Sequence, residues 1–417
     1  MQPSTHHAPS GPARQAGAEP VPPVVHLANA EDEATGDAYT VLGFRKPLQG
    51  WGTVRVPRER AGNVDEVVSL LRARNADLPL RGPRVAGAVE RALQEPPREH
   101  WVFAAELGWR GELFVRPDRV LGPQAVPRVR PPLWAQGQRP ATPARAGDLE
   151  GWREGVARPC RLSRRLMLGV SAACAAPLLA RVGHPSFRLH FSGPAAAGGD
   201  LVALAAGSVV GIGADHQLPG WDGTGAGFRE AARPFNDSVL LLDEPAPSGV
   251  PVLEPPRAAW RGVWVSAGER PLAEPAARAH DVPALEAEGG TVCDRRPSKL
   301  SGEAFDTRAM RALLGLRRAI AAHHGHALDP VVLEVARRGD ALRAFVAERV
   351  AEFRAALAAA PGAGAPWRAA ENFGVVYAGG RLAIEAGVLP WPEAELLGAV
   401  VACFEAMRAV QFRDPRG

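Results

Sequence analysis

The amino-acid sequence predicts an α/β protein: a P-loop-type core built on a parallel sheet, with an N-terminal α+β domain and a helical C-terminal region. Three short segments, residues 187–191, 237–242 and 262–266, have the patterns of strands, and the second of them is a continuous apolar run. Continuous apolar runs of this length are typical of parallel strands that helices cover on both faces. A glycine-rich segment and a helical pattern over residues 201–210 lie between the first two runs, and from residue 302 onward the pattern is mostly helical.

The bulk composition is that of an ordinary folded protein of two or three domains. The chain has 417 residues, of which 46% are apolar and 23% charged, and a formal net charge of +4. Acidic residues nearly balance the arginines, so genome composition explains the arginines better than a dedicated nucleic-acid surface does. The four cysteines form no C-x-x-C pair, which favours a reducing cytoplasm over a zinc cage or a disulfide framework. The longest apolar run, residues 166–180, is short for a membrane span and is predicted to be a buried helix.

Changes in composition divide the chain into five segments. Residues 1–37 are rich in Pro, Ala and Gly and are predicted to be a disordered tail. Residues 38–123 alternate strand and helix patterns and are predicted to form the N-terminal α+β domain. Prolines crowd residues 124–148, which are predicted to be a linker. Residues 149–300 are then predicted to be the P-loop-type core, and residues 301–417 are predicted to be the helical C-terminal region.

The first candidate site is the end of the apolar strand Val239–Leu242, which Asp243 and Glu244 follow. Acids at the carboxyl end of a buried strand form the Walker B pattern of P-loop ATPases. In that pattern Asp243 would hold the magnesium ion, and Glu244 would orient and deprotonate the attacking water. The alternative is a buried strand that happens to end in two acids before a proline-rich turn. The Walker B interpretation gains weight because a glycine-rich loop precedes it in the sequence.

The second candidate site is that loop, Gly193–Asp200, which departs from the phosphate-loop pattern G-x-x-x-x-G-K-[S/T]. Gly193, Gly198 and Gly199 could still aim backbone N–H groups at an anion. However, Gly199 replaces the lysine that reaches the terminal phosphates, and Asp200 replaces the hydroxyl residue that ligates magnesium. The loop therefore loses one positive charge and gains one negative charge beside a polyanion, which predicts that tight triphosphate binding is lost. The alternative is that Asp200 itself holds a cation.

The third candidate site is the end of the strand that begins at residue 262. Ser266 and Glu269 stand where a ring ATPase has its sensor strand, with a polar side chain near the γ-phosphate. The alternative is a strand end with ordinary polar residues.

Seven segments of the sequence together resemble one known family, the Cch-like helicase/ATPase family, also known as domain of unknown function 927. The resemblance extends over residues 39–410, nearly the whole chain. It implies an AAA+-type ATPase core that is related to replicative ring helicases and is carried by mobile elements, plasmids and phages. The segments are residues 108–111, 114–123, 170–179, 187–191, 236–244, 260–269 and 371–380.

The resemblance also implies roles for individual residues. Gly193 and Gly198 match the phosphate-loop glycines of the family. Asp243 and Glu244 match its Walker B acids, and Ser266 matches a sensor position.

Arg368 lies where the family tends to place an arginine before its C-terminal helix, which makes it a candidate nucleotide-binding residue. The sequence departs from the family at Gly199 and Asp200, where family loops carry G-K-[S/T]. It departs again after Glu244, because Pro245–Ala258 holds five prolines and cannot be the regular helix that family members have there.

The sequence therefore predicts a divergent, hydrolysis-deficient member of this helicase family. Its expected partners are DNA, a partner ATPase subunit or further copies of itself in a ring. Its ligands would be ATP and magnesium, with weak or absent binding. Two alternatives stay open: an active ATP-dependent DNA helicase with atypical phosphate contacts from Arg229 or Arg233, and a decayed remnant without activity. For the fold, we expect residues 240–242 to form a central buried strand adjacent to the strand 187–191.

Overall fold

The computed structural model of the chain divides into two compact units. The first unit comprises residues 1–106 and 115–136, and the second comprises residues 107–114 and 137–417. The structure describes residues 23–47, 50–78, 83–123, 128–135, 143–194, 198–218, 232–242, 260–269, 279–283, 311, 314–358 and 367–411.

The described residues form short strands and helices of very different length. The strands are β1 (Val24–Asp32), β2 (Ala38–Lys46), β3 (Gly50–Pro57), β4 (Glu99–Phe103), β5 (Gly108–Arg110), β6 (Leu113–Val115), β7 (Val120–Leu121), β8 (Val129–Arg130), β9 (Phe187–Ser192), β10 (Ser238–Leu242), β11 (Gly262–Gly268) and β12 (Ala279–Pro283). The α-helices are α1 (Val64–Ala73), α2 (Pro83–Gln94), α3 (Leu149–Trp152), α4 (Arg158–Cys160), α5 (Arg164–Ala175), α6 (Leu178–Val182), α7 (Gly199–Val210), α8 (Leu328–Arg338), α9 (Ala341–Ala358), α10 (Trp367–Glu385) and α11 (Glu393–Gln411). A π-helical turn joins α3 to α4, and residues 314–322 are also helical.

The first unit is a five-stranded sheet with two helices packed on one face. The strand order is β3-β2-β1-β4-β8, with β1 antiparallel to β2 and parallel to β4. Val67 and Leu71 of α1 and Val89 of α2 belong to the same buried cluster as Leu42 and Phe44 of the sheet. This mixed arrangement of strands and helices confirms the α+β character that the sequence predicts for this part of the chain.

Two strands of this sheet lie in segments that the sequence predicts to be irregular. The prediction of a disordered tail over residues 1–37 is wrong for residues 24–32, because they form β1 in the interior of the sheet. The prediction of a linker over residues 124–148 is wrong for β8, which pairs with β4. The apolar signal of β1 is weak because polar residues such as His26 and Asn29 interrupt it, yet tertiary pairing on both edges stabilises the strand.

The second unit contains a parallel sheet of order β10-β11-β9-β12. The prediction that residues 240–242 lie next to strand 187–191 is wrong: β10 and β9 share the sheet, but β11 lies between them, and β10 ends the strand order of the described residues. Gly262 allows this close pairing, because a Cβ at Gly262 would lie 2.8 Å from the carbonyl O of Ser238 on β10. The burial of β10 is as predicted, since all of its residues are buried.

Helix α7 covers one face of this sheet, and α5 packs beside it. Gly207 of α7 lets the helix approach the sheet closely, because it has no side chain. A Cβ at this position would lie only 2.5 Å from Cδ1 of Leu241. Gly169 of α5 lies similarly close to Val202 of α7, with 2.6 Å between a Cβ on the glycine and Cγ1 of the valine. Eleven of the twelve residues of α5 are buried, which confirms the prediction of a buried helix here.

The C-terminal region is helical, as predicted. Helices α8 and α9 are separated by Gly339, whose positive φ of 50° favours glycine. Helix α10 packs on α5 through small residues, and the rings of Phe353, Phe373 and Phe404 join α9, α10 and α11 edge to face. In the described part of the chain, no helix combines the length and the apolar content that a membrane span needs.

Candidate functional site

Strand β9, the glycine-rich loop and helix α7 follow one another in the order that the sequence predicts. β9 ends at Ser192 and α7 begins at Gly199. Gly198 precedes the first turn with a φ of 84°, a left-handed conformation that glycine adopts without steric cost. The first N–H groups of a helix have no partner inside the helix, so such an end can attract an anion. Residues 195–197 of the loop lie outside the described residues.

Gly193, the first glycine of the loop, is attached to the neighbouring strand. Its N–H donates to the carbonyl O of Gly268 at the end of β11, with an N···O distance of 3.0 Å. A backbone N–H carries a single proton, so this group would have to give up that bond before it could face a phosphate. Of the three glycines predicted to form an anion-binding loop, Gly198 and Gly199 therefore stand at the helix end, and Gly193 holds the loop to the sheet.

Asp200, in the first turn of α7, forms an ion pair with an arginine from the far end of the chain. Nη2 of Arg317 donates to the Asp200 carboxylate, and Nη1 of Arg317 donates to Oδ2 of Asp215 at 2.6 Å. The three side chains are 33%, 48% and 56% exposed for Arg317, Asp200 and Asp215. Each pair is therefore worth at most about 1 kcal/mol of stability. The cation that Asp200 holds in this structure is the guanidinium group of Arg317.

The side chain of Ser266 on β11 is fully buried and already bonded. Its Oγ accepts hydrogen bonds from Nε and Nη2 of Arg188 at 3.0 and 2.9 Å, and it lies 2.9 Å from Nδ1 of His190. A serine hydroxyl has two lone pairs and one proton, so Arg188 fills both lone pairs and the proton goes to His190. A phosphate contact would break this network. The role of Ser266 as a sensor stays a prediction. The other sensor candidate, Glu269, follows β11 and is exposed.

The buried polar network lies on the face of the sheet opposite to α7. Ser266 is in register with His190, whereas Leu241, which contacts α7, is in register with the neighbouring residue Val265. Side chains alternate between the two faces of a sheet, so these two pairs point in opposite directions. Arg188 and His190 are not among the site residues that the sequence predicts. The alternating pattern Phe-Arg-Leu-His-Phe in β9 is the signal that could have identified them.

The remaining predicted residues are not brought together by the described structure. Asp243 and Glu244, directly after β10, and Arg229 lie outside the described residues. Arg233 precedes the amino end of β10, whereas the loop follows the carboxyl end of the parallel strand β9, so Arg233 stands at the opposite edge of the sheet. Arg368 is exposed in the first turn of α10, and it forms no hydrogen bond with the described residues of the loop.

A second polar cluster lies at the amino end of the parallel strands, where residues 107–114 meet the start of β10. The N–H of Trp109 donates to Oδ2 of Asp237 at 2.8 Å. Gly108 has a φ of 93°, and a Cβ there would lie 2.5 Å from the same Oδ2, so the contact requires glycine. The contact joins two of the segments that carry the family resemblance, and it gives both of them a packing role away from the loop.

The indole ring of Trp109 is held on several sides. Its Nε1 donates to the carbonyl O of Pro177 at 2.8 Å, and the ring of Phe114 meets it edge to face at 5.0 Å between centres. The guanidinium carbon of Arg181 lies 3.8 Å from the ring centre, and Arg181 also donates to the carbonyl O of Gly111 at 2.5 Å. The short segment is thus anchored by its backbone and by its side chains.

Burial raises the pKa of the Asp237 carboxyl group to about 6. The hydrogen bond from Trp109 and the charges of Arg181 and Arg261 act in the opposite direction, but they do not cancel the effect of burial. The folded protein therefore keeps a proton on Asp237 at a pH where the unfolded chain, with a pKa near 3.8, has released it. The contribution of the Asp237 carboxyl group to the free energy of unfolding is therefore complete below pH 4, and it is lost as the pH rises to 6.

We expect the substitution Asp237→Asn to remove this loss, because an amide oxygen can still accept the Trp109 N–H and carries no charge. The free energy of unfolding of the native chain should fall by up to roughly 1.4 kcal/mol per pH unit, relative to the variant, between pH 4 and 6. Urea denaturation at pH 4, 5, 6 and 7 measures this difference. Asp340→Asn, at an exposed carboxyl group, is the control. A difference between native chain and Asp237→Asn that does not change with pH would contradict the assignment.

Comparisons with known proteins found one matching family model and a solved structure of similar fold. A family model described as domain of unknown function DUF927 matches residues 69–248. A solved structure described as the active helicase Cch of SCCmec type IV matches with a TM-score of 0.58 and 15% sequence identity, over 93% of this chain and 74% of that one. No curated protein matches the chain. The chain is thus a mixed α/β protein with a helical C-terminal region that shares its fold with a helicase. Over residues 69–248 its sequence is similar to the DUF927 family.

Proposed function

We propose that this chain is a helicase-like protein of a mobile element, plasmid or phage that does not hydrolyse ATP and acts by binding DNA or a partner ATPase subunit. The observation that carries the proposal is the ion pair between Asp200 and Arg317. It places a carboxylate at the end of α7, where a working phosphate loop has a lysine and a magnesium-binding hydroxyl group. The cytoplasmic location, which the cysteine pattern predicts, and a ring of identical subunits, which the family resemblance implies, belong to this proposal.

The order of the parallel strands supports a P-loop type of core. Ligands of open parallel sheets bind outside the carboxyl ends of the strands. The start of the loop after β9 and the carboxyl ends of β10 and β11 all belong to this edge. The proposed Walker B acids Asp243 and Glu244, which follow β10 in the sequence, lie outside the described residues.

The described residues do not fit magnesium ATP well. The loop lacks the lysine, the N–H of Gly193 is bonded to Gly268, and the hydroxyl group of Ser266 is saturated by Arg188 and His190. These features support weak or absent nucleotide binding. Binding to DNA or to a partner subunit then becomes the activity that the fold can still provide.

Hydrolysis assays on the native chain and on Glu244→Gln test this proposal. We expect both proteins to release phosphate from magnesium ATP at the same background rate, with and without single-stranded DNA, because the loop cannot hold the triphosphate near residue 244. The glutamine variant keeps the size of the side chain and removes only its charge. Turnover by the native chain that disappears in Glu244→Gln would contradict the proposal and favour the active helicase with atypical phosphate contacts.

A further inference from the structure

We propose that the Asp237 side chain is a proton-operated latch on residues 107–114: the segment stays closed while the carboxyl group is protonated and opens locally when it ionises. Asp237 directly precedes β10, at the amino end of the parallel strands, so the latch lies away from the glycine-rich loop and does not depend on nucleotide binding. Residues 107–114 belong to the second unit, although residues 1–106 and 115–136 belong to the first. Contacts with the second unit therefore hold this short segment in place.

Two adjacent residues hold the start of the segment. Nδ2 of Asn236 donates to the carbonyl O of Leu107 at 2.8 Å, and Oδ2 of Asp237 accepts the N–H of Trp109 at 2.8 Å. The N–H of Asp237 in turn donates to the carbonyl O of Arg261 at 2.7 Å, which fixes its backbone beside the start of β11. Among the groups that form these three bonds, only the Asp237 carboxyl group can ionise. A proton on that group can therefore change the strength of the hold.

The surroundings of Asp237 suit a neutral carboxyl group better than a carboxylate. The residue is only 4% exposed, and within the described part of the chain its Oδ1 is buried without a hydrogen-bond partner. A carboxylate has about four acceptor sites to satisfy, and a buried charge that lacks hydrogen bonds is strongly destabilised. The backbone of Asp237 is also in an uncommon conformation for a residue other than glycine, with a φ of 53°. Opening of the segment would let water reach the carboxylate and would release the backbone.

The charged groups around Asp237 do not cancel the effect of burial. The guanidinium groups of Arg181 and Arg261 favour the carboxylate, whereas Glu112 of the segment offsets part of the charge of Arg181. Burial outweighs them and raises the pKa of Asp237 to about 6, from 3.8 for a solvated aspartate. The closed segment thus binds the proton more tightly than the open one. The open population is therefore lowest in acid and rises with pH between about 4 and about 6.

Amide hydrogen exchange of the full-length chain, followed by mass spectrometry at pH 5 and pH 7, tests the latch. The rates are corrected for the intrinsic effect of pH on exchange. The comparison includes Asp237→Asn, which keeps an acceptor oxygen but carries no charge, and the control Asp340→Asn at an exposed carboxyl group. Two segments are followed in each protein: residues 107–114, and helix α8 at residues 328–338, which serves as the reference.

We expect the opening equilibrium of residues 107–114 to rise about tenfold from pH 5 to pH 7 in the native chain and in Asp340→Asn. In Asp237→Asn the rise should be absent, and α8 should show no rise in any of the three proteins. These results together would support the latch.

Three results would overturn the latch. The first is a native chain in which residues 107–114 open equally at both pH values. The second is a rise that persists in Asp237→Asn. The third is an equal rise in α8, because the whole unit rather than the segment would then be opening. The comparison of the two segments within the native chain decides the question even if Asp237→Asn does not fold.

Discussion

The double substitution Gly199→Lys with Asp200→Thr is expected to give the chain magnesium-dependent ATP binding. The lysine returns the positive charge that reaches the terminal phosphates, and the threonine hydroxyl group returns the magnesium ligand. One charge is gained and one of opposite sign is removed. Each charge is worth about 4 kcal/mol beside a phosphate charge at 4 Å when the effective dielectric constant is ~20. Isothermal titration with ATP, with and without magnesium, measures the gain.

The matched control for this restoration is Gly199→Met with Asp200→Thr, which adds a side chain of similar length without charge. If the lysine variant binds ATP without hydrolysing it and the methionine variant does not bind, the chain has lost two separate features. The first is the positive charge of the loop, and the second is the element that the proline-rich segment after Glu244 replaces. Absence of binding in a folded lysine variant would mean that the backbone of the loop does not form an anion-binding site. The protein should then be treated as a scaffold or a remnant.

The second large effect is expected at Gly379, where α10 touches α5. A Cβ at this glycine would lie 2.5 Å from both the backbone N and the Cα of Ala175. Backbone atoms cannot move aside as the end of a flexible side chain can, so the two helices must separate. We expect Gly379→Ala to lower the free energy of unfolding by about 1–3 kcal/mol, measured by urea denaturation.

Gly398 in α11 provides the control for that substitution. It is a helical glycine on the exposed side of α11, and a Cβ there would meet nothing within 4 Å. Gly398→Ala should therefore raise the stability by up to about 1 kcal/mol, because alanine has the higher helix propensity. If both alanine variants raise the stability, the close packing of α10 on α5 is contradicted.

The sequence predicts those parts of the fold whose signal is local. The short strand patterns of β9, β10 and β11 identify strands, and the glycine-rich segment before α7 identifies the strand–loop–helix order. The buried character of α5 follows from a run that is apolar nearly all round. In these cases the residues that define the element lie next to one another in the chain.

Features that depend on distant residues could not be predicted in the same way. The insertion of β11 between β9 and β10 depends on pairing across the sheet, which the composition of each strand does not specify. The contact of Arg317 with Asp200 joins residues that are 117 positions apart, and arginine is too common in this chain to be informative. Polar residues interrupt the apolar pattern of β1, and the strand depends on pairing with β2 and β4, which are distant from each other in sequence.

The most direct test of the account is a titration of the native full-length chain with magnesium ATP, with the restored variant Gly199→Lys and Asp200→Thr as the positive control. We expect the native chain to show no saturable binding at ATP concentrations up to about 1 mM, which corresponds to a binding free energy weaker than about −4 kcal/mol. Saturable, magnesium-dependent binding by the native chain with a Kd below about 1 mM would contradict the loss of nucleotide binding.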